Sequence, residues 1–140
     1  KKKINISTKT FQAIRIFVNK EFSELIEGLI NATQLIKAGG KIIVVSFHSI
    51  EDKIVKFFFT NYSKNKSKVS RYYPDFPKEK SLFENYKNKI IIPSEKELKI
   101  NSSSRSAKLR FVTRSESDFF YPKEFKKNFM HYIDLENRHA

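Results

Sequence analysis

The feature that most constrains this chain is a change of period at Gly39-Gly40. Ahead of it, apolar residues fall at 11, 14, 18, 22, 25 and 29, with 26, 30 and 36 widening the stripe, so the period from Phe11 to Ile36 is helical. Ser7, Thr8 and Thr10 offer N-caps, and the paired glycines stop the helix. Gly28 is a place where it could bend, at about 1 kcal/mol relative to Ala, so one long helix and two shorter ones both satisfy the pattern. Behind the glycines, Lys41-Ile-Ile-Val-Val-Ser-Phe47 is β-branched and does not alternate. That is the pattern of a strand covered on both faces in a parallel sheet. Helix, tight turn and covered strand together make an α/β unit.

The run then turns helical again. Ser49, followed by Glu51 and Asp52, supplies a cap and first-turn acids for a helix to about Asn61 that carries Ile50, Ile54, Val55 and Phe58. His48-Ser49 therefore sits where a strand's carboxyl end meets a helix N-terminus, the edge at which open α/β sheets bind ligands. Residues 62–88 lack periodicity and contain Pro74 and Pro77, which reads as a long surface excursion. Lys89-Ile-Ile-Ile92 reads as a short strand ended by Pro93, Ser94-Glu-Lys-Glu97 as a capping box, and Asn101-Ser-Ser-Ser104 as a loop. Ala107, Leu109, Phe111 and Thr113 alternate with Lys108, Arg110, Val112 and Arg114, as in a strand near a sheet edge. Residues 115–140 form a tail with a helix expected from about Pro122 to Asn137.

Composition narrows the class. One hundred and forty residues suit one domain, and no stretch approaches the roughly 20 apolar residues of a membrane-spanning helix. Zero cysteines remove disulfides, thiolate catalysis and cysteine-ligated metals, and agree with a reducing, cytoplasmic setting. The net charge of +13 suits a polyanionic partner such as RNA, although the 28 cations are dominated by Lys in a chain also rich in Ile, Asn and Phe, a bias that A/T-rich codons alone would impose. The chain opens on Lys1-Lys2-Lys3 with no apolar region following, so it does not open on a signal peptide and reads as the back half of something longer.

Three blocks carry a family resemblance: Thr8-Lys-Thr-Phe-Gln-Ala-Ile-Arg-Ile-Phe-Val-Asn-Lys-Glu21, Gly39-Gly-Lys-Ile-Ile-Val-Val-Ser-Phe-His-Ser-Ile-Glu-Asp-Lys-Ile-Val-Lys56 and Asn101-Ser-Ser-Ser-Arg-Ser-Ala-Lys-Leu-Arg110. In order and spacing the chain resembles the C-terminal half of the RsmH (MraW) family, which methylates the N4 amine of a cytosine in small-subunit (16S) ribosomal RNA using S-adenosylmethionine. The match runs from about Ser7 to Arg114. The resemblance implies part of a class I, Rossmann-like methyltransferase fold: the C-terminal portion of a doubly wound α/β sheet whose last strand runs antiparallel, with flanking helices. Residues 41–47 would be its fifth strand, and 89–92 and 107–114 its final two. Residues 1–114 would then be the C-terminal half of the methyltransferase domain. The family's glycine-rich turn and cofactor acids have no counterpart here, because Gly39-Gly40 precedes a strand instead of following one. S-adenosylmethionine is thus expected to bind outside this chain, which alone is expected to be inactive.

Within that frame His48 and Ser49 are the catalytic candidates, since an exocyclic amine needs a positioned acceptor for its N–H. His48 as a helix cap and Ser49 as the N-cap are the competing readings. Glu51 and Asp52 would favour the helix dipole or touch substrate. A metal site at His48, Glu51 and Asp52 is set aside because adjacent helical residues point about 100° apart, and a Ser-His-Asp relay because near neighbours on one turn cannot assemble it. Arg15 and Asn19 share a helix face at i, i+4 as substrate-side polar contacts, or as solvated residues. Arg105, Ser106 and Lys108 follow a loop of small residues that suits RNA phosphates. Between Lys53 and Arg71 six cations and no acid are interleaved with Phe57, Phe58, Phe59 and Tyr62. Lys64, Lys66, Lys68 and Arg71 are the RNA-facing candidates there, with Phe58 inside. Small-subunit ribosomal RNA is the expected partner, no membrane is expected, and the open flank of a partial sheet makes a homodimer conceivable. The rival reading is a noncatalytic RNA-binding module derived from the same fold.

Overall fold

In a computed structural model, residues 6–64 and 81–137 are described. The elements are helices α1 (Ile6–Asn19) and α2 (Glu21–Leu35), strand β1 (Lys41–Ser46), helices α3 (Ser49–Asn61) and α4 (Glu95–Ile100), a 3₁₀ turn (Ser102–Ser106), strand β2 (Lys108–Thr113), and helices α5 (Lys123–Asn128) and α6 (Met130–Asn137). The chain divides into two compact units, one of residues 1–28 with 122–140 and one of residues 29–121.

In the second unit, β1 and β2 form an antiparallel pair in the register Lys41↔Thr113 to Ser46↔Lys108. The glycine turn extends that ladder, with Gly39 N–H donating to Arg114 O and Arg114 N–H to Gly40 O. Both glycines are required. Gly39 has φ 79°, and a Cβ on Gly40 would fall 2.5 Å from Ile36 Cγ1. Helix α3 lies across one face of the pair and buries Ile54, Val55, Phe58 and Phe59. On that face sit Ile42, Ser46, Arg110 and Val112, all buried.

The segment 81–86, which the sequence pattern leaves in a surface excursion, is part of this core. Leu82 and Phe83 are fully buried and Tyr86 nearly so. Residues 82–84 thread between the end of α3 and the end of β2 through Phe83 N–H to Tyr62 O, Lys64 N–H to Phe83 O and Glu84 N–H to Thr113 O. Phe83 meets Phe58 and Phe59 edge-on at centroid distances of 5.3 and 5.6 Å, a favoured aromatic geometry. Burying both Phe58 and Phe59 leaves Phe57 as the half-buried member of the trio. Lys89–Ile92 is not a strand: Ile91 alone bridges to Leu109. Pro93 cannot donate to a ladder, which is one reason pairing stops there. Asn101–Ser104, expected as a loop, is instead the start of the 3₁₀ turn: Asn101 caps it, its Oδ1 accepting from Ser103 N–H, and residues 102–104 lie within it.

A buried arginine ties this unit together. Arg114 Nε donates to Thr33 O, and its Nη1 donates to Leu82 O and Ser115 O. Burial pushes its guanidinium pKa down, opposed by Asp118.

In the first unit the long helical stripe is interrupted at Lys20 and not at Gly28. Lys20 adopts φ 50°, a left-handed conformation that ends α1, and its carbonyl accepts from Glu24 N–H to open α2. Glu21 and Glu24 then occupy α2's first turn, where carboxylates are favoured. Glu136 of α6, although buried, accepts from Phe22 N–H at 2.8 Å and Ser23 N–H at 3.0 Å, capping α2 from a residue more than a hundred positions away. Phe22 packs on Tyr132 at a centroid distance of 5.1 Å, and Phe125 on Phe129 at 5.7 Å. The tail expected as one helix is two, broken at Phe129. The α1 part of the apolar stripe departs from expectation as well, since Phe11, Ile14 and Val18 are exposed while Phe22, Ile26, Leu29 and Ile30 are buried. Among the described residues no helix is long and apolar enough to cross a membrane.

Candidate functional site

The carboxyl end of β1 gathers most of the residues singled out by sequence. The strand ends at Ser46, and α3 begins at Ser49, so Phe47 and His48 form the corner. The N-cap is His48 and not Ser49: its Nδ1 accepts from Glu51 N–H at 3.4 Å, which leaves the ring hydrogen on Nε2, itself 3.2 Å from Glu51 Oε1. Glu51 completes a capping box, its Oε2 accepting from Phe47 N–H at 2.9 Å and His48 N–H at 3.2 Å. Ser49 is exposed at the first helical position.

One turn further, Asp52 is buried against β2. Arg110 grips it with two nitrogens, Nε to Oδ1 at 2.7 Å and Nη2 to Oδ2 at 3.1 Å, and Lys108 Nζ reaches Oδ2 at 3.3 Å. The hydrogen bond from Arg110 holds the Asp52 carboxyl below the ordinary carboxylate range, against desolvation. For Arg110 burial works in the opposite direction, but the bonds to Asp52 and Tyr86 outweigh it and raise its pKa. Tyr86 OH and Asn88 Oδ1, each 2.9 Å from Nη1, complete the guanidinium's surroundings. One carboxylate therefore faces two cations. Arg110 is enclosed, whereas the Lys108 side chain is 38% exposed, so the surplus positive charge points outward. Arg105 and Ser106, on the 3₁₀ turn leading into β2, are exposed beside it in sequence.

His48, Ser49, Glu51, Asp52 and Lys108 thus converge on one end of the sheet, but Glu51 and Asp52 are committed to the cap and to Arg110. Lys64 does not join them. It follows the far end of α3, about 20 Å along a helix of this length, and pairs with Glu84 at 2.7 Å. Lys66, Lys68 and Arg71 lie outside the described residues. Arg15 and Asn19 are exposed on α1, where Arg15 pairs with Glu21 at 2.7 Å across the helix break. Arg110, Tyr86, Asn88 and Glu136 were missed by sequence reasoning. The one signal for Arg110 is its alternation with Leu109 and Phe111, which fixes its face but not that the face is inward.

The sequence profile of the MraW methylase family matches residues 1–115. "Ribosomal RNA small subunit methyltransferase H" of Agrobacterium fabrum is 44% identical over 115 residues, covering 82% of this chain and 33% of its own length. The proteins of the same name from Rickettsia typhi and Ehrlichia chaffeensis are 45% and 46% identical over 112 and 111 residues, each covering 79% of this chain and 37% and 34% of their own lengths. The chain spans about a third of the length of the curated relatives it matches.

Proposed function

We propose, since this chain belongs to the MraW methylase family, that it supplies the back portion of a class I, Rossmann-like methyltransferase sheet. The complete family polypeptide then methylates the N4 amine of a cytosine in small-subunit ribosomal RNA. The observation that carries the reading is the pairing of β1 with β2. A β-branched strand behind a Gly-Gly turn lies antiparallel to the final strand, and the helix that follows it opens at the carboxyl end where α/β sheets bind ligands.

The residues at this end do not fit S-adenosylmethionine. Its ribose and amino-acid moieties call for an available carboxylate and for open backbone N–H groups, whereas Glu51 closes the Phe47 and His48 amides and Asp52 is saturated by Arg110. The cofactor belongs to the family length that this chain does not span. What this end offers is substrate positioning. A cytosine amine, its lone pair drawn into the ring, needs an acceptor on N–H and a fixed line of approach. The exposed Ser49 hydroxyl is placed for the first role, and His48 is a positioning residue that holds the corner through its cap. Arg105, Ser106 and Lys108 take the adjoining RNA phosphates, which fix register without reading sequence. Asp52 positions Lys108.

Calorimetric titration tests the division of labour. S-adenosylmethionine should give no heat with the 140-residue chain and saturable binding with a family-length protein; tight binding to the short chain would overturn the assignment. In a family-length protein carrying these residues, Ser49→Ala should cut methyl transfer to 16S RNA while cofactor affinity holds, and unchanged turnover would remove Ser49 from the site.

A further inference from the structure

Strand β2 has a gap along the edge that faces away from β1. At one end of that edge Leu109 exchanges both main-chain bonds with Ile91, at 2.9 and 3.0 Å, and at the other Glu84 N–H donates to Thr113 O at 2.9 Å. In an antiparallel ladder every second residue turns its N–H and C=O to the same edge, so Phe111, midway between Leu109 and Thr113, presents both groups here. Between the two closures six residues, 85–90, run opposite three of β2, 110–112. The longer side arches away, with Asn88 at φ 51°, and among the described residues neither main-chain group of Phe111 meets a partner in the arch. The arch itself is held in place. Arg110 Nη1 donates to Tyr86 OH and Asn88 Oδ1, each at 2.9 Å, and Tyr86 packs edge-on against Phe59 at a centroid distance of 5.6 Å. The result is a cleft of about 230 Å³ whose lining includes Asn85, Lys87, Lys89, Phe111 and Thr113 and, among the described residues, no carboxylate.

The N–H and C=O of one extended residue lie side by side and point the same way, so they pair with an edge that carries an acceptor next to a donor. The Watson–Crick edge of every nucleobase has that form, and unpaired RNA bases are read through it. A peptide strand also pairs with sheet edges, but here both ends of the gap are already laddered, and the groups of one residue are left. The volume is below the roughly 300 Å³ at which pockets begin to hold drug-sized ligands, which leaves room for a single base. Lys87 and Lys89 are exposed at the rim, where ammonium groups hold phosphates without reading sequence. We propose that the cleft between β2 and residues 85–89 binds one unpaired nucleotide of an RNA strand. Its base edge meets Phe111 N–H and C=O, and its flanking phosphates meet Lys87 and Lys89. Phe111 is three residues, about 10 Å, along β2 from Lys108, so one strand of RNA reaches from this cleft to the end of β1. The inference rests on the reading of RNA as substrate, but not on the reaction assigned to the family.

The test is titration of oligouridylate of about eight nucleotides into the isotope-labelled 140-residue chain, followed by NMR. At saturation the Phe111 amide resonance should shift and its hydrogen exchange slow by about tenfold or more, while the Phe58 and Phe59 amides exchange as before. Oligo-N3-methyluridylate, with the same phosphates but a blocked base edge, should bind about tenfold more weakly and leave Phe111 unprotected. Lys87→Ala and Lys89→Ala should each lower the slope of log K against log salt by about one, with exchange in α3 unchanged. A Phe111 amide indifferent to oligouridylate, equal binding of the methylated oligomer, or the same protection from inorganic polyphosphate would each overturn the inference. Equal affinity for free uridine monophosphate would overturn the assignment to a strand. A methyl-transfer assay on a family-length protein carrying these residues separates the two readings. Phe111 protection without transfer removes the reaction and keeps the cleft, whereas transfer with Phe111 unaffected by RNA removes the cleft and keeps the reaction.

Discussion

Asp52 lies in the first turn of α3, where a carboxylate favours the helix dipole, yet its strongest partner is Arg110 of β2, on the sheet face that α3 covers. Asp52→Asn leaves a buried guanidinium with only neutral partners, and loss of one member of a buried pair is expected to destabilise by about 3 kcal/mol. The pH dependence follows from the lowered carboxyl pKa. Unfolded Asp titrates near about 3.9, so the pair's contribution is fully present above that value and is lost as pH falls through the lower folded value. Urea melts of parent and variant should therefore differ most near neutrality and converge under strong acid. At the corner, His48→Ala removes an N-cap and should lower stability by about 1 kcal/mol, while His48→Ser, which restores a capping oxygen, should recover most of it. Equal melts for the Ala and Ser variants would mean that the imidazole does not cap.

Among the elements, the first unit depends on one carboxylate. Glu136 of α6 holds the Phe22 and Ser23 amides at the start of α2. Glu136→Ala should expose two unsatisfied donors, worth about 1 to 3 kcal/mol, read as faster exchange of the two amides with little change at Phe58 and Phe59. No sequence pattern points to Glu136, because a cap supplied from so far along the chain leaves no local signature. Local signals fared better. The Gly-Gly stop, α3, the Ser94 cap of α4 and the alternating strand at 107–114 were all legible, since each is encoded within a few residues; β1 was legible as a strand, but it was expected to be covered on both faces and Ile43 and Val45 are exposed. The break at Lys20 was not, because nothing in the residue type announces a left-handed backbone. Nor was the burial of Leu82 and Phe83, which requires a long-range partner, while the capping role of His48 was legible only as a competing reading, since a neighbouring Ser offers the same cap.

For the whole molecule, charge dominates what can approach. At +13 the chain should bind single-stranded 16S RNA with an affinity that falls steeply with salt. Lys108→Ala should reduce the slope of log K against log salt by about one if its outward ammonium meets a phosphate, and an unchanged slope would confine Lys108 to its pairing with Asp52. Of the candidate site, the corner at the end of β1 was legible as a meeting point of strand and helix, but the partners of its side chains were not, because they depend on which neighbour each side chain meets. Finally, residues 6–28 find their partners in 122–137, with the whole of the second unit threaded between. On the ribosome, Leu29–Tyr121 can therefore collapse as its own residues emerge, whereas the helix start at Glu21 must wait, uncapped, until Glu136 has been synthesised. Closing a loop of roughly a hundred residues is then the late entropic step.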